Sequence, residues 1–444
     1  MLKPFLFALV LIAAATIGLI AQTDDQVLAI AAGVRITVGD LPPETKSAYL
    51  NLSQIMAERR KEFLEAQIID MLADEKTRAR KTTVEKLFES EVADKVPDPA
   101  EARIQEVYDA NRAALGDKPL AEVRARIVAY LRVEPEQKAF AKFVTGLKAK
   151  YKTVSGKDVN SATLRPTDVL ATVAGKPLTY ALFESKNKVE LFEAKAKVFD
   201  QLRDEVDSQI LSKLVIAEAK SLGLEPYQLV AREITDKLKE YSESEREELE
   251  SAFRRRLIAK YRPQIMYREP APLVFKVATE GNPARGLATA PVTVVMFSDF
   301  QCSACSATHP ILKRVLAEYG NKVRLVVRDY PLTVLHKDAY RAALAANAAA
   351  AQGKFFEYTE LLYANQSALD DESLKKYAAE VGLNLSQFGL DFKSEKIAAD
   401  VKRDMDDGKS IGITGTPTIF VNGVKIRDMS ADGFRDAIEL ALKK

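Results

Sequence analysis

The segment Gln301-Cys302-Ser303-Ala304-Cys305 follows the apolar run Val292-Thr293-Val294-Val295-Met296-Phe297 and leads into a stretch, Ser306 to Tyr319, whose apolar residues recur at helical spacing. Ile311, Leu312, Val315 and Leu316 mark the inward face of that helix, and Gly320 is its stop signal. A strand that enters a helix through a cysteine pair leaves few folds open. These are the only two cysteines in 444 residues, so sulfur serves chemistry at one place and scaffolding nowhere.

Cys302 falls at the first turn of the helix, where unpaired backbone N–H groups and the positive end of the helix dipole favour a thiolate. Cys305, one turn on, is placed to close a small ring with it. The expected chemistry is thiolate attack by Cys302 on a substrate disulfide, or the reverse, with Cys305 resolving the mixed disulfide. Two other readings compete. Zinc normally takes four ligands, and the chain offers only His309 and His336 besides this pair, so no metal is expected. A purely structural disulfide is the other, but closing so short a loop removes little chain entropy.

A second signal lies downstream, in Gly412-Ile413-Thr414-Gly415-Thr416-Pro417-Thr418-Ile419-Phe420-Val421-Asn422-Gly423. Pro417 can open the apolar run Thr418 to Val421 as a strand but cannot sit centrally in one, and Asn422-Gly423 suits a tight hairpin turn. Together with the cysteine helix, this resembles the thioredoxin superfamily, and its DsbA-like branch in particular. The resemblance runs from about Phe275 to the C-terminus. It includes Gly286 through Pro291, Phe297-Ser298-Asp299-Phe300-Gln301-Cys302, Arg328-Asp329-Tyr330-Pro331-Leu332, Gln352-Gly353-Lys354-Phe355-Phe356 and the Gly-Thr-Pro-Thr loop. It implies that Cys302 is the exposed nucleophile and Cys305 the resolving thiol of a redox-active disulfide, that Pro417 is a cis-proline, and that the backbone of Thr416 lines a peptide-binding groove.

The chain departs from that family between the cysteines, where Ser303 and Ala304 replace the proline, histidine or aromatic residues of many relatives. Those positions set the direction of exchange, so oxidase, isomerase and reductase all stay open. No tryptophan precedes the pair; Gln301 holds that place. Asp299 and His309 are the candidate modulators of the thiols. Asp299 ends the strand and suits either a proton relay or a solvent-facing helix start, and His309 suits either a thiolate-biasing group or a half-exposed helix residue beside Pro310. His336 carries no assigned role. Helices are expected over Lys337–Ala351, Phe355–Tyr363, Ser373–Val381, Ser394–Lys409 and Phe434–Leu442, an insertion of the DsbA kind between strands of a thioredoxin fold.

Residues 1–21 contain Lys3 and an apolar run from Phe5 to Ala21, a secretory leader with cleavage after Ala21. Leu19 is bulkier than a cleavage site prefers, so an uncleaved anchor in the inner membrane is the alternative. Either reading places the body of the protein in the periplasm or another extracytoplasmic, oxidising compartment.

The region 24–268 repeats. Val27-Leu28-Ala29-Ile30-Ala31-Ala32-Gly33 returns as Val169-Leu170-Ala171-Thr172-Val173-Ala174-Gly175, an offset of 142 residues that also carries Ile68 and Leu72 onto Ile210 and Leu214. Later Ala149-Lys150-Tyr151-Lys152 returns as Ala259-Lys260-Tyr261-Arg262 at an offset of 110, so the second copy has lost about a helical hairpin. The strand-Gly-strand opening and long helices resemble the chaperone domain of SurA and its trigger-factor-like relatives. There is no parvulin motif, hence no prolyl isomerase activity is expected. Helical domains of this kind hold unfolded clients or act as spacers.

The expected architecture is therefore a leader or anchor (1–21), two mainly α-helical SurA-like domains (24–155 and 166–268), a Pro-rich hinge at Glu269-Pro270-Ala271-Pro272, and an α/β thioredoxin-like domain with an inserted helical subdomain (269–444). The expected function is an exported protein thiol-disulfide oxidoreductase without cofactors. Its partners would be cysteine-containing client proteins and a redox partner that resets the pair; a chaperone or assembly factor with a secondary redox site is the alternative. A formal net charge of +2 gives no reason to expect nucleic acid. Oligomeric state is not legible.

Overall fold

The phrase that recurs at an offset of 142 residues folds the same way twice. In the computed structural model, which describes residues 23–116 and 118–443, β1 (Val27–Ala31) and β2 (Val34–Thr37) form an antiparallel hairpin across Ala32-Gly33. Helices α1 (Pro43–Leu50), α2 (Leu52–Arg80), α3 (Val84–Glu91), α4 (Glu101–Ala110), α5 (Arg112–Leu115) and α6 (Leu120–Lys150) follow, then strand β3 (Val154–Ser155). The second hairpin is β4 (Val169–Val173) with β5 (Lys176–Thr179), followed by α7 (Tyr180–Ser221), α8 (Pro226–Glu233), α9 (Glu243–Tyr261) and β6 (Gln264–Ile265). Both turns place two residues at positive φ, Ala32 and Gly33 at 48° and 79°, Ala174 and Gly175 at 51° and 77°. That is the twist a two-residue hairpin needs.

Each hairpin takes its third strand from the other copy. β3, at the end of the first copy, pairs with β4, and β6, at the end of the second, pairs with β1. Consequently the chain does not divide at 155/166 as the repeat suggests. One compact unit is 53–195; the other joins the residues up to Leu52 with Ala196–Lys444. A short polar connector, 156–168, lets β3 fold straight back onto β4, and the open edge of β1 is closed by β6.

Within 53–195, Ile68 and Leu72 of α2 and Leu147 of α6 pack with Ala171, Val173 and Leu178. A separate cluster, Ile104 and Tyr108 of α4 with Val123 and Ile127 of α6, fills the outer part. In the other unit Tyr49 packs edge-on against Phe199, and Ile210 and Leu214 are buried as their counterparts are. The expected hinge at 269–272 is tied at both ends: Glu269 pairs with Arg203 at 3.2 Å, and the Phe275 N–H donates to the Gly423 carbonyl at 2.8 Å.

The C-terminal region is a five-stranded mixed sheet, built from β7 (Ala284–Arg285), β8 (Val292–Ser298), β9 (Val323–Asp329), β10 (Thr418–Val421) and β11 (Val424–Lys425), in the order β11-β10-β8-β9-β7. Its helices are α10 (Ser303–Tyr319), α11 (Ala339–Ala350), α12 (Phe355–Ala364), α13 (Asp371–Glu380), α14 (Leu385–Asp391), α15 (Glu395–Ser410) and α16 (Ala431–Leu442). α14 is the one the sequence did not announce. β8 and β9 run parallel in full register, Val292 opposite Val323 through Ser298 opposite Asp329. Both faces are covered, so both strands read as continuous apolar runs. Val292, Val294, Met296, Val323, Leu325 and Val327 share one core with the cysteines, whereas Val295, Phe297, Val326 and Tyr330 form another on the opposite face.

The β10–β11 turn shows why Asn422-Gly423 stands there. Both residues have positive φ, and a Cβ on Gly423 would lie 2.3 Å from the Phe275 carbonyl oxygen. Asn422 also accepts from the Thr293 N–H at 2.8 Å and donates to the Pro291 carbonyl at 3.1 Å, pinning the hairpin to β8. This turn therefore fixes the height of the Pro417 loop. α9 is fastened to α10 and α16 by Arg314 with Glu248 at 2.9 Å and Arg255 with Asp432 at 2.7 Å.

Candidate active site

α10 begins at Ser303, three residues earlier than the apolar spacing indicates, which makes Cys302 its N-cap rather than a first-turn residue. An N-cap side chain is the natural acceptor for the unpaired N–H groups of the first turn. Cys302 keeps 8% of its surface and Cys305 none, so Cys302 is less exposed than the sequence reading expects but is the one cysteine of the two with any exposed surface. Both are free thiols in this structure.

The Cys302 thiol is lowered to about 5, first by a hydrogen bond from the Cys305 thiol, then by the Thr416 side chain and the backbone N–H groups of Cys305 and Ala304, all working against burial. The helix N-terminus contributes, as its position suggests, but the neighbouring thiol contributes more. Cys305 moves the opposite way: its bond to the Cys302 sulfur and its burial both hold its proton on. One sulfur is thus held as an anion and its neighbour as a thiol.

The Thr416–Pro417 peptide is cis and lies against Cys302, whose Sγ is 3.3 Å from the Thr416 carbonyl oxygen. The Thr416 hydroxyl is buried with no hydrogen-bond partner, which leaves it free to donate to the Cys302 thiolate. Thr416 and Pro417 are both half-buried, forming one wall beside the sulfur.

Asp299 does not face solvent. It is 1% exposed because three donors converge on its carboxylate: the Gln301 N–H at 2.7 Å, the Leu332 N–H at 2.8 Å and His336 Nδ1 at 2.8 Å. It holds the segment leading to Cys302 against the loop after β9. Gln301 strengthens the same junction by exchanging hydrogen bonds with Asp338, and Gln366 donates to the carbonyls of Phe300 and Cys302 at 2.9 and 2.8 Å. His309 lies elsewhere: its ring stacks on Tyr363 with centroids 4.7 Å apart, and Nε2 meets Glu360 at 3.1 Å. The histidine that touches the active-site segment is His336, for which 37 residues of separation from Asp299 left no sequence signal.

Behind the cysteines lies a buried polar set. Ser298 hydrogen bonds Cys305 and stands 2.6 Å from the Tyr363 hydroxyl. On the other side Arg328, 1% exposed, pairs with Asp404 at 2.6 Å and Asp407 at 2.7 Å and lies over the Phe297 ring. Among the described residues no group of His, Cys, Asp and Glu is arranged to hold a metal ion, and no helix is long and apolar enough to cross a membrane. The Phe5–Ala21 run lies outside the described residues.

Residues 278–440 match the family model described as Thioredoxin. Among curated proteins the chain is 39% identical over 151 residues to the Na(+)/H(+) antiporter NhaA 3 of Salinispora tropica, and 35% identical over 157 residues to the Na(+)/H(+) antiporter NhaA 1 of Mycolicibacterium gilvum. These stretches take in 34% and 35% of this chain but only 23% and 25% of those proteins, so the chain spans about a quarter of the length of the curated relatives it matches. Among solved structures it is similar to a thioredoxin-like oxidoreductase from Silicibacter pomeroyi, at 27% identity and a TM-score of 0.35, over 37% of this chain and 94% of that one. BdbD from Bacillus subtilis aligns at 24% identity and a TM-score of 0.34, over 39% of this chain and 100% of that one.

Proposed function

From residues 278–440, which match the family model described as Thioredoxin, and from the motifs that resemble the DsbA-like branch, we infer that the chain is a protein thiol-disulfide oxidoreductase. The observation that carries this reading is the asymmetry of the pair: an N-cap thiol lowered to about 5 beside a fully buried thiol raised by its neighbour, both next to the Thr416–Pro417 wall. A sulfur stabilised as thiolate is a good leaving group and favours the reduced form of the pair, so the disulfide form acts as an oxidant.

In the oxidising direction a client thiolate attacks Cys302 Sγ of the disulfide, and Cys305 departs. A second client thiolate then attacks the client sulfur of the mixed disulfide and releases the Cys302 thiolate. Client dithiol becomes disulfide, and the pair becomes dithiol. The client's extended backbone lies along Thr416–Pro417, and the loop held by Asp299 carries two exposed apolar side chains, Val334 and Leu335 at 97% and 74%. An external dithiol-oxidising partner returns the pair to the disulfide.

The helical region is read as a client-holding part of SurA-like type. Tyr130 and Val133, one turn apart on α6 and 69% and 49% exposed, form a small apolar surface that supports that role. An extracytoplasmic setting, from a leader or anchor in 1–21, suits an oxidant of client proteins.

The test is refolding of reduced ribonuclease by the oxidised full-length protein, with Cys302→Ala and Cys305→Ala beside it. Wild type restores ribonuclease activity and neither variant does; offered scrambled, oxidised ribonuclease instead, Cys305→Ala attacks a client disulfide through Cys302 and accumulates the mixed disulfide that it cannot resolve. Suppression of client aggregation that persists in Cys302→Ala, with no thiol activity in the wild type, would establish a chaperone instead.

A further inference from the structure

The recurrence at an offset of 142 carries on through α3: Leu87, Glu91, Val92 and Lys95 fall on Leu229, Glu233, Ile234 and Lys237, and Lys76 of α2 falls on Glu218 of α7. The recurrence at 110 sets Lys150 and Tyr151 on Lys260 and Tyr261. Chemical type is kept at each of these places but one. Lys76 stands where the second copy has an acid.

In the second copy that acid completes a polar cluster. Glu218 pairs with Lys260 and accepts from the Tyr261 hydroxyl at 2.8 Å, and Glu233 pairs with Lys237 at 2.7 Å and with Arg232 and Arg256 at 3.2 Å. Four cations share two carboxylates there. In the first copy four cations share one: Glu91 pairs with Arg80 at 2.6 Å and with Lys95, and Lys76 Nζ stands 4.0 Å from it, while Lys150 is the fourth.

Lys150 keeps the posture of Lys260, each ammonium lying 5.2 Å from the ring centroid of the tyrosine that follows it. The carboxylate that Lys260 and Tyr261 share has no equivalent beside Lys150 and Tyr151. Instead the Tyr151 hydroxyl is buried without a hydrogen-bond partner, which is costly for a polar group that water does not reach. Burial, then the charges of Arg80 and Lys150, hold Lys76 below the ordinary lysine range. A buried phenol and two neighbouring ammonium groups thus lack the negative charge that the chain itself supplies in the other copy.

We propose that the first helical copy binds a carboxylate between Lys76, Lys150 and the Tyr151 hydroxyl, in the place that the Glu218 carboxylate fills in the second. One oxygen accepts from the phenol and the other meets the ammonium groups, as in the Glu218 cluster. Glu91 limits what fits: a singly charged carboxylate is repelled by it less than a phosphate dianion is. Arg80 and Lys95 are about half exposed and give access from solvent. All of these residues belong to the unit 53–195, so the site stands whether or not Cys302 and Cys305 exchange disulfides. The carboxylate comes either from an acidic segment of a bound protein or from a free organic acid.

The measurement is fluorescence anisotropy of a labelled glutamate hexapeptide titrated with the full-length protein at low ionic strength, where charge attraction is least screened. Wild type is compared with Lys76→Glu and Tyr151→Phe, and unlabelled hexapeptide and glutarate serve as competitors. Wild type binds, and Lys76→Glu, which puts the second copy's own carboxylate into the site, loses binding. Tyr151→Phe changes no charge and breaks no hydrogen bond of the free protein. It melts at the wild-type temperature and binds about tenfold more weakly, the loss of one hydrogen bond to a charged group. Should Lys76→Glu fail to fold, Tyr151→Phe carries the same test alone.

Given that pattern, displacement by hexapeptide at lower concentration than by glutarate supports an acidic protein segment as the ligand, and the reverse supports a free acid. Absence of binding by either probe overturns the site. So does equal binding by wild type and Tyr151→Phe, since general attraction to surface lysines does not depend on an uncharged hydroxyl.

Discussion

The two regions of this protein handle charge differently. In the helical region ion pairs such as Arg59–Glu62 lie along exposed helix faces at i,i+3 spacing, and the buried carboxylates Glu218 and Glu233 pair with half-exposed Lys and Arg side chains. In the C-terminal region Asp299, Arg328, Asp329 and Asp404 are each at most 5% exposed, and each is held by hydrogen bonds to named neighbours. Surface pairs are screened by water and contribute little, whereas a buried charge without its partner is costly.

Six substitutions separate these regimes. Cys305→Ala removes the donor that contributes most to the Cys302 thiolate, so the midpoint of Cys302 alkylation, about 5 in the wild type, rises by at least about one pH unit. Because Cys302 is lowered in the folded state, its stabilisation of the reduced protein is fully present only above its unfolded value near 9. It is lost as pH falls through 5, and urea unfolding of reduced against oxidised protein between pH 4 and 9 measures it.

Asp404→Ala removes the buried one of the two carboxylates that pair with Arg328, leaving only Asp407, and costs up to about 3 kcal/mol in the same unfolding assay. Asp329 makes a contribution of the other sign. With its carboxyl raised to about 8, the folded state holds a proton that the unfolded state gives up near 4, so stability declines between pH 4 and 8, and Asp329→Asn flattens that decline.

Gly33→Ala and Gly175→Ala each cost about 1–2 kcal/mol, since a Cβ meets nothing within 4 Å at either site and only the left-handed backbone opposes it. Unequal losses would break the equivalence of the two hairpins. Glu62→Ala, on an exposed helix face, shifts stability by less than about 1 kcal/mol. None of the helical substitutions alters dithiothreitol reactivity of the oxidised pair.

Much of the site was legible because its signals are local. Cys302 and Cys305 sit one helical turn apart, Pro417 opens a strand, and Asn422-Gly423 names its own turn. His336, Gln366 and the Ser298–Tyr363 contact were not, since each meets its partner across 37 to 66 residues with no pattern in between. Asp299 reads as a helix start in one dimension, and only the loop after β9, folding over it, makes it a buried anchor. His309 shows the converse: the spacing from Cys302 is right, but the ring turns to Tyr363 and Glu360.

Order along the chain, turn chemistry and apolar period follow from residues within a few positions of one another, so strands, helices and the recurrence at 142 could be read directly. Pairing across the fold could not. β1 is completed by β6 some 235 residues later, while β3 goes to β4, because any open strand edge accepts any strand of suitable backbone and only folding selects which arrives. The same holds for the proton on Asp329, which its type and neighbours in sequence would release. Burial beside Asp404 keeps it on.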